Sequence, residues 1–285
     1  MARTVTFQGR PLTLAGRLLR VHDSAPDFKA VSPDFAEVGL AQFKGKVKVL
    51  TAFPSLDTPV CDLQVKEFNK RAAGLGEEIA VIGLSKDLPF AQKRFCDSFG
   101  IANVSLASDY KNGSFGINYG LLIRELNLLA RAVLIIDSGN TVRYIQIVPE
   151  LTSPPDYEDV FVNIQKVLKS PVVVAASAPL SCTPCEGGVA ALPKGKVEQL
   201  MARYRGWEAP EGKRLVKEFG FGHFEDAKYF FDMVAILAEE QGHHPVVTVS
   251  YNKVKISLST HAASGLTEND FIMARLIDRL QEDGS

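Results

Sequence analysis

Thr51-Ala52-Phe53-Pro54-Ser55-Leu56-Asp57-Thr58-Pro59-Val60-Cys61 sets the character of the first half of the chain. The apolar run Val47 to Phe53 reads as a buried strand. Behind the stretch, Leu63-Gln64-Val65-Lys66-Glu67-Phe68 has the apolar spacing of a helix. Pro54 and Pro59 punctuate the connection, which places Cys61 at or just inside the helix's first turn. Unpaired N–H groups and the helix dipole there favour an anion, so a thiolate gains over a thiol. Thr58, one turn before the sulfur, offers a hydroxyl to it or to a bound oxygen ligand. A lone cysteine is ordinarily an inert packing residue. The strand–turn–helix setting makes a reactive thiolate the stronger reading.

The elements that follow alternate. Strands are expected at Lys46–Phe53, Ile79–Leu84, Arg131–Ile136 and Val142–Val148. Helices are expected at Asp62–Ala73, Phe90–Ser98 and about Asp156–Lys169. This order suits a three-layer α/β domain with a mixed sheet. Cys96 lies on the second helix, among Phe90, Phe95 and Phe99, a context that also permits a packed cysteine. The only histidine of this half, His22, sits in a loop, so the thiolate needs another cation.

The spacing of Pro54, Thr58 and Cys61 resembles the peroxiredoxin active site, and Ser55 to Asp62 resembles the thiol peroxidase branch of that superfamily. The similarity covers about residues 3–168. It includes Val5-Thr6-Phe7, Leu12-Thr13-Leu14, Ala130-Arg131-Ala132-Val133, Glu150 and Pro155-Asp156-Tyr157-Glu158. The resemblance implies a thioredoxin-like fold, Cys61 as the attacking thiol, Cys96 as its resolving partner, and Arg131 set against Cys61. The planar fork of an arginine can bridge sulfur and peroxide oxygens, whereas a surface arginine capping a strand is the plainer alternative. The resemblance further implies thioredoxin as reductant and a preference for alkyl hydroperoxides. Cys61 would become a sulfenic acid and condense with Cys96 to a disulfide.

Bulk properties exclude several classes. With 46% hydrophobic and 23% charged residues in 285, the chain has the composition of a globular protein with room for two cores. A net charge of −1 gives no reason to expect nucleic acid as partner. Residues 1–20 carry four arginines without a long apolar run, unlike a secretory signal. Pro171 to Leu180 is too short to span a bilayer. A cytoplasmic location and no membrane partner are the expectations. Four cysteines then read as working or metal-binding thiols before structural disulfides.

Residues 170–181 lack charge and are rich in small residues, as a linker would be. They separate a domain at 1–169 from another at 182–285. Cys182-Thr183-Pro184-Cys185 opens the second. A structural zinc site needs four ligands and no second pair is present. A redox motif would follow a strand and open a helix, so local packing is the preferred reading. Val197–Tyr204 suits a helix and Arg214–Phe221 a strand. Phe224–Glu240 suits a helix with Phe224, Ala227, Phe231, Val234, Ala235 and Ala238 on its apolar stripe. Strands at Val246–Tyr251 and Val254–Ser259 flank an Asn252-Lys253 hairpin connection. Thr267 caps a last helix, Glu268 to Gln281. The expectation is an α+β domain, an antiparallel sheet with helices on one face.

His243 and His244 follow the long helix and His261 follows the second hairpin strand, so antiparallel pairing brings them to one edge. Imidazoles suit proton transfer near neutral pH; a three-histidine metal site and a structural cluster are the alternatives. Glu239-x-x-x-His243-His244-Pro245, Tyr251-Asn252-Lys253-Val254, Thr260-His261, Gly265-Leu266-Thr267 and Asp270 resemble pterin-4a-carbinolamine dehydratases over about residues 181–281. The resemblance implies dehydration of a 4a-hydroxytetrahydropterin to a quinonoid dihydropterin, with no metal or redox cofactor. It assigns His243 and His261 to acid/base work, His244 to the pterin ring, Asp270 to orienting a histidine, and Glu239 a lesser place. Asp270 could equally be a favourable charge in a helix's first turn. Both families imply a homo-oligomer. The alternative for the whole chain is a peroxide sensor fused to a non-catalytic pterin-binding or dimerisation module.

Overall fold

The computed structural model describes residues 3–170, 181–183 and 190–283. The chain divides into two compact units, residues 1–179 and 180–285. Nearly all of the expected linker, and Cys185, lie outside the described residues.

The first unit opens with the hairpin β1 (Thr4–Phe7) and β2 (Arg10–Ala15), followed by two-residue strands β3 (Ala30–Val31) and β4 (Glu37–Val38). Then come β5 (Val47–Ala52), α1 (Pro59–Ala72), β6 (Ile79–Ser85), α2 (Pro89–Phe99) and β7 (Ser105–Ser108). The unit continues with α3 (Ser114–Asn118), β8 (Leu122–Ile123), β9 (Leu128–Leu129), β10 (Ala132–Ile136), β11 (Val142–Ile147) and α4 (Tyr157–Lys169).

A mixed seven-stranded sheet runs in the order β11-β10-β5-β6-β7-β3-β4, with β5, β6 and β7 parallel. β5 is buried at all six positions, as a central strand covered on both faces must be. Alternate residues feed two cores. Val47, Val49, Val81, Val133 and Ile135 meet Val65 and Phe68 of α1, Phe95 of α2, and Val160 and Ile164 of α4. Leu50, Ala52, Ile82, Leu84 and Leu134 meet Phe28, Leu40, Phe115, Tyr119 and Leu129 on the other face. β1, β2, β8 and β9 form a second, four-stranded sheet. The periodic elements fall where the spacing predicts. The elements from β7 to β9 are not foreshadowed in the sequence pattern, because they are two to five residues long and carry no period.

The second unit contains α5 (Lys194–Met201), β12 (Leu215–Gly220), α6 (Phe224–Gln241), β13 (Val246–Ser250), β14 (Lys253–Leu258) and α7 (Glu268–Asp283). The sheet is antiparallel in the order β12-β14-β13. Its inner residues, Leu215, Phe219, Val254, Ile256 and Leu258, lie under α6 and α7, while Lys253 and Lys255 face outward.

Three details depart from expectation. α5 starts at Lys194, directly behind Pro193, three residues before its first large apolar side chain. The buried face of α6 runs through Ala227, Phe230, Met233, Val234 and Ala238, whereas Phe224 and Phe231 are exposed. Phe230 takes the inward place because its ring packs on Phe219 and Phe221, at centroid distances of 4.8 and 5.1 Å. The hairpin connection is Tyr251-Asn252, one residue earlier than expected, since Ser250 pairs with Lys253. Tyr251 takes φ 48°, and Asn252 is pinned by a side-chain bond to the Phe221 carbonyl at 2.8 Å.

Two candidate active sites

Thr58 takes extended angles as the N-cap of α1, and Pro59 fills the first helical position, where no N–H is missed. Cys61 follows in the first turn, its own N–H bonded to the Thr58 carbonyl at 3.1 Å. The sulfur is fully buried. Pro54 is buried at the end of β5, and Thr58 is exposed. The Thr58 hydroxyl donates to the Ser55 carbonyl at 3.0 Å, which leaves its lone pairs for another donor.

Arg131, 1% exposed, enters from the residue before β10. Its Nη2 donates to Cys61 Sγ at 3.3 Å and to the Leu151 carbonyl at 2.7 Å; Nε donates to the same carbonyl at 3.2 Å. Nη1 donates to Gln64 Oε1. Gln64 is held in turn by donating to Thr51 Oγ1 at 2.6 Å. The expected cation is therefore beside the sulfur with its orientation fixed by two other residues. The sequence marks Gln64 only as part of a helix pattern, not as a site residue. Its place one turn after Cys61, on the same helix face, is the signal that could have found it.

Cys96 lies in the last turn of α2, and its carbonyl accepts from Gly100 and Ile101 where the helix closes on a left-handed glycine. Burial first, and then the neighbouring Asp97, pushes the Cys96 thiol up from its ordinary value. Cys61 and Cys96 are both free thiols. Cys96 lines a depression of about 440 Å³ with Asp34, Phe43, Lys93, Val104 and Leu106, a lining that does not include Cys61.

In the second unit α6 ends on Gly242 at φ 59°, and the His243 N–H closes back on the Ala238 carbonyl. His243 is buried, with Nε2 at 2.8 Å from Asp270 Oδ1. The other Asp270 oxygen accepts from the Thr267 N–H at 2.7 Å and the Thr260 hydroxyl at 2.9 Å. Asp270 thus does both things open to it: it holds a histidine, and it reaches back to the start of its own helix. His261 follows Thr260, is exposed, and lines a depression of about 400 Å³ with Thr260, Lys213, Arg214 and Ser264.

Val246 pairs with Ser257, so the start of β13 and the end of β14 share one edge as expected. The three imidazoles nevertheless occupy different settings. His244 is exposed, with Nε2 at 3.0 Å from Glu239 Oε1. Among the described residues, no three of His, Cys, Asp and Glu are grouped to hold a metal ion. Cys182 packs its sulfur 3.7 Å from the Asn269 carbonyl, and Thr183 exchanges backbone bonds with the Asn269 amide.

A family model described as Redoxin matches residues 20–161, and one described as Pterin 4 alpha carbinolamine dehydratase matches residues 190–280. A thiol peroxidase of Oceanobacillus iheyensis is 43% identical over 162 residues, covering 57% of this chain and 98% of its own length. A thiol peroxidase of Aquifex aeolicus is 46% identical over 171 residues, 59% of this chain and 100% of its own. The crystal structure of a peroxiredoxin-like protein from Aquifex aeolicus, 46% identical, gives a TM-score of 0.56 over 59% of this chain and 98% of that one. A thiol peroxidase structure from Chromobacterium violaceum, 22% identical, shares the fold at a TM-score of 0.53, over 57% of this chain and 95% of that one.

The first unit is a thioredoxin-like peroxiredoxin domain, and the second an antiparallel sheet under helices that fits the dehydratase family. The chain belongs to the thiol peroxidase family and carries, behind that domain, a pterin 4 alpha carbinolamine dehydratase domain. It is an enzyme of two classes on one polypeptide.

Proposed function

We propose that the first unit reduces hydroperoxides through a Cys61 sulfenic acid and a Cys61–Cys96 disulfide, with thioredoxin as reductant. The buried Arg131–Cys61 contact at 3.3 Å carries this reading, because it holds a cation where a thiolate and a developing alkoxide need one. The thiolate attacks one peroxide oxygen, the O–O bond breaks, and the alkoxide leaves as alcohol after taking a proton. Cys96 then forms the S–S bond and water departs. Thr58, exposed at the start of the helix that carries Cys61, offers lone pairs to a peroxide O–H, and buried Pro54 shapes the turn. Working thiols need a reducing compartment, which supports a cytoplasmic location. Among the described residues no helix is long and apolar enough to cross a membrane.

The second unit, in this reading, dehydrates a 4a-hydroxytetrahydropterin. One imidazole of the His243 and His261 pair protonates the leaving hydroxyl and the other accepts a ring proton. Asp270, as a carboxylate, keeps a proton on His243 Nε2 and so presents Nδ1 with its lone pair. His244, exposed and paired with Glu239, takes the pterin ring in this reading. The roles use side chains alone, without metal or redox cofactor. A homo-oligomer is the assembly proposed.

The deciding test takes each half on the full-length chain. Peroxide turnover with thioredoxin should vanish in Cys61→Ser and stall after one turnover in Cys96→Ser. Dehydration should fall to the uncatalysed rate in His243→Ala and His261→Ala. Wild-type dehydration no faster than the buffer reaction would reject the second activity.

A further inference from the structure

We propose that Asp87 is a positioning residue that sets the balance between the two steps of the thiol cycle. It does so by fastening the loop that leads to Cys61 onto the lead-in of the helix that carries Cys96. The inference rests on the Cys61–Cys96 cycle proposed above.

Asp87 lies between the end of β6 at Ser85 and the start of α2 at Pro89. Its Oδ1 accepts from the Ser55 hydroxyl at 2.6 Å; its Oδ2 accepts from the Leu56 N–H and the Ser85 hydroxyl, both at 2.8 Å. Two of these three donors belong to the connection between β5 and α1. Ser55 passes the constraint forward, since its carbonyl accepts from the Thr58 N–H at 3.2 Å and the Thr58 hydroxyl at 3.0 Å. The Thr58 carbonyl then accepts from the Cys61 N–H. On the other side, fully buried Gln92 in the first turn of α2 donates to the Ser85 hydroxyl at 3.2 Å. One carboxylate therefore joins the approach to one thiol with the root of the helix bearing the other.

The two steps ask opposite things of that junction. Attack on peroxide needs Cys61 seated at the helix start beside Arg131, the geometry that the Asp87 bonds support. Disulfide formation needs the two sulfurs about 2.05 Å apart. Cys61 is sealed under Arg131, whereas Cys96 faces a depression that Cys61 does not line. The two thiols are not bonded here, so closing the S–S bond moves one or both of them, and the Asp87 bonds oppose any such movement that shifts the loop or the root of α2. Asp87 thus favours sulfenic acid formation and restrains its resolution.

The test is Asp87→Asn in the full-length protein, read by rapid quenching after one equivalent of an alkyl hydroperoxide. Asparagine keeps the shape but puts an NH2 group where one carboxylate oxygen stood, so either Ser55, or Leu56 and Ser85, loses its acceptor. Sulfenic acid should form roughly tenfold more slowly, the factor that corresponds to about 1.4 kcal/mol, while the disulfide follows it as fast as in wild type or faster. Ser55→Ala should shift the two rates in the same directions by less, and the double variant should add nothing beyond Asp87→Asn. A general loosening of the fold would slow both steps alike. Equal slowing, or an unchanged ratio of the two rates, overturns the role of Asp87. Should Asp87→Asn fail to fold, the same ratio measured in Ser55→Ala decides between these outcomes. A wild type that forms no Cys61–Cys96 disulfide would instead overturn the underlying cycle.

Discussion

Arg131 touches Cys61 Sγ with the same nitrogen, Nη2, that donates to the Leu151 carbonyl. The guanidinium is thereby held from three sides, by Leu151, by Gln64 and by the sulfur, at 1% exposure. A cation buried this far is costly unless each donor is used. Here its N–H groups are spent on fixing its position relative to the thiol, so that little rearrangement accompanies charge development on the peroxide.

Arg131→Lys should keep the charge and lose the fork. The second-order rate with peroxide should fall by about 10²-fold, the lower range for removing one preorganised donor from a developing anion. Stability should drop by about 1–3 kcal/mol because the Leu151 carbonyl and Gln64 lose a buried partner. Stopped-flow peroxide reduction and denaturant unfolding check the two effects separately. An unaltered rate would show the contact to be structural only.

Asp270→Asn should lower kcat for pterin dehydration by about 10²-fold, near the low end of what positioned acid–base groups contribute, with a small change in KM. The amide presents a donor either to His243 or to the Thr260 and Thr267 donors, so one side of the present arrangement is lost. Full activity in Asp270→Asn would reduce this residue to a helix-capping charge.

These two sites differ in how far the sequence disclosed them. Cys61, Pro54 and Thr58 stand within eight residues, so their relation is local and survives in linear spacing. Arg131 was reachable because resemblance marked it, while its buried partners were not. Leu151 acts through its carbonyl, which carries no side-chain signature. Asp87 lies 32 residues from Ser55 and meets it only because β5 and β6 are parallel neighbours ending at the same edge. In the second unit, Phe230 and Phe231 are adjacent, and sequence alone does not say which faces inward; the rings of Phe219 and Phe221 decide it. The hairpin slipped by one residue for a similar reason, since Asn252 is fixed by Phe221, 31 residues away.

Asp109 gives the first unit an unusual acid dependence. Burial pushes its carboxyl up to about 6, against opposing bonds from the Gly116 and Phe115 N–H groups and the charge of Lys86. A carboxyl whose folded pKa exceeds its unfolded one binds its proton more tightly when folded. Its contribution is therefore most favourable below about pH 4 and declines until the pH passes about 6. The shift from 3.8 to about 6 corresponds to about 3 kcal/mol at 1.36 kcal/mol per unit. Calorimetric melting of the full-length chain should show this loss between pH 4 and 6, and Asp109→Asn should remove it. Parallel pH profiles for the two proteins would contradict the assignment.

Glu150 acts in the opposite sense and in a separate pH window. The turn joining β1 and β2 places Gln8 at φ 52° and Gly9 at φ 78°, left-handed angles that a glutamine adopts at a cost. Glu150 accepts from both of their N–H groups, at 3.0 and 3.1 Å, and from the Thr6 and Thr152 hydroxyls, each at 2.8 Å. The Thr152 hydroxyl foremost, then Thr6 and the Gly9 N–H, hold its carboxyl well below the usual range, at about 2. A depressed carboxylate stabilises the fold above its unfolded pKa, and that support is lost as pH falls through about 2. Glu150→Gln should therefore speed hydrogen exchange at Gln8 and Gly9 near neutral pH, after correction for intrinsic rates. At about pH 2 the wild type should approach the variant. Equal protection of the two amides at neutral pH would mean that the strand pairing of β1 with β2 alone holds the turn.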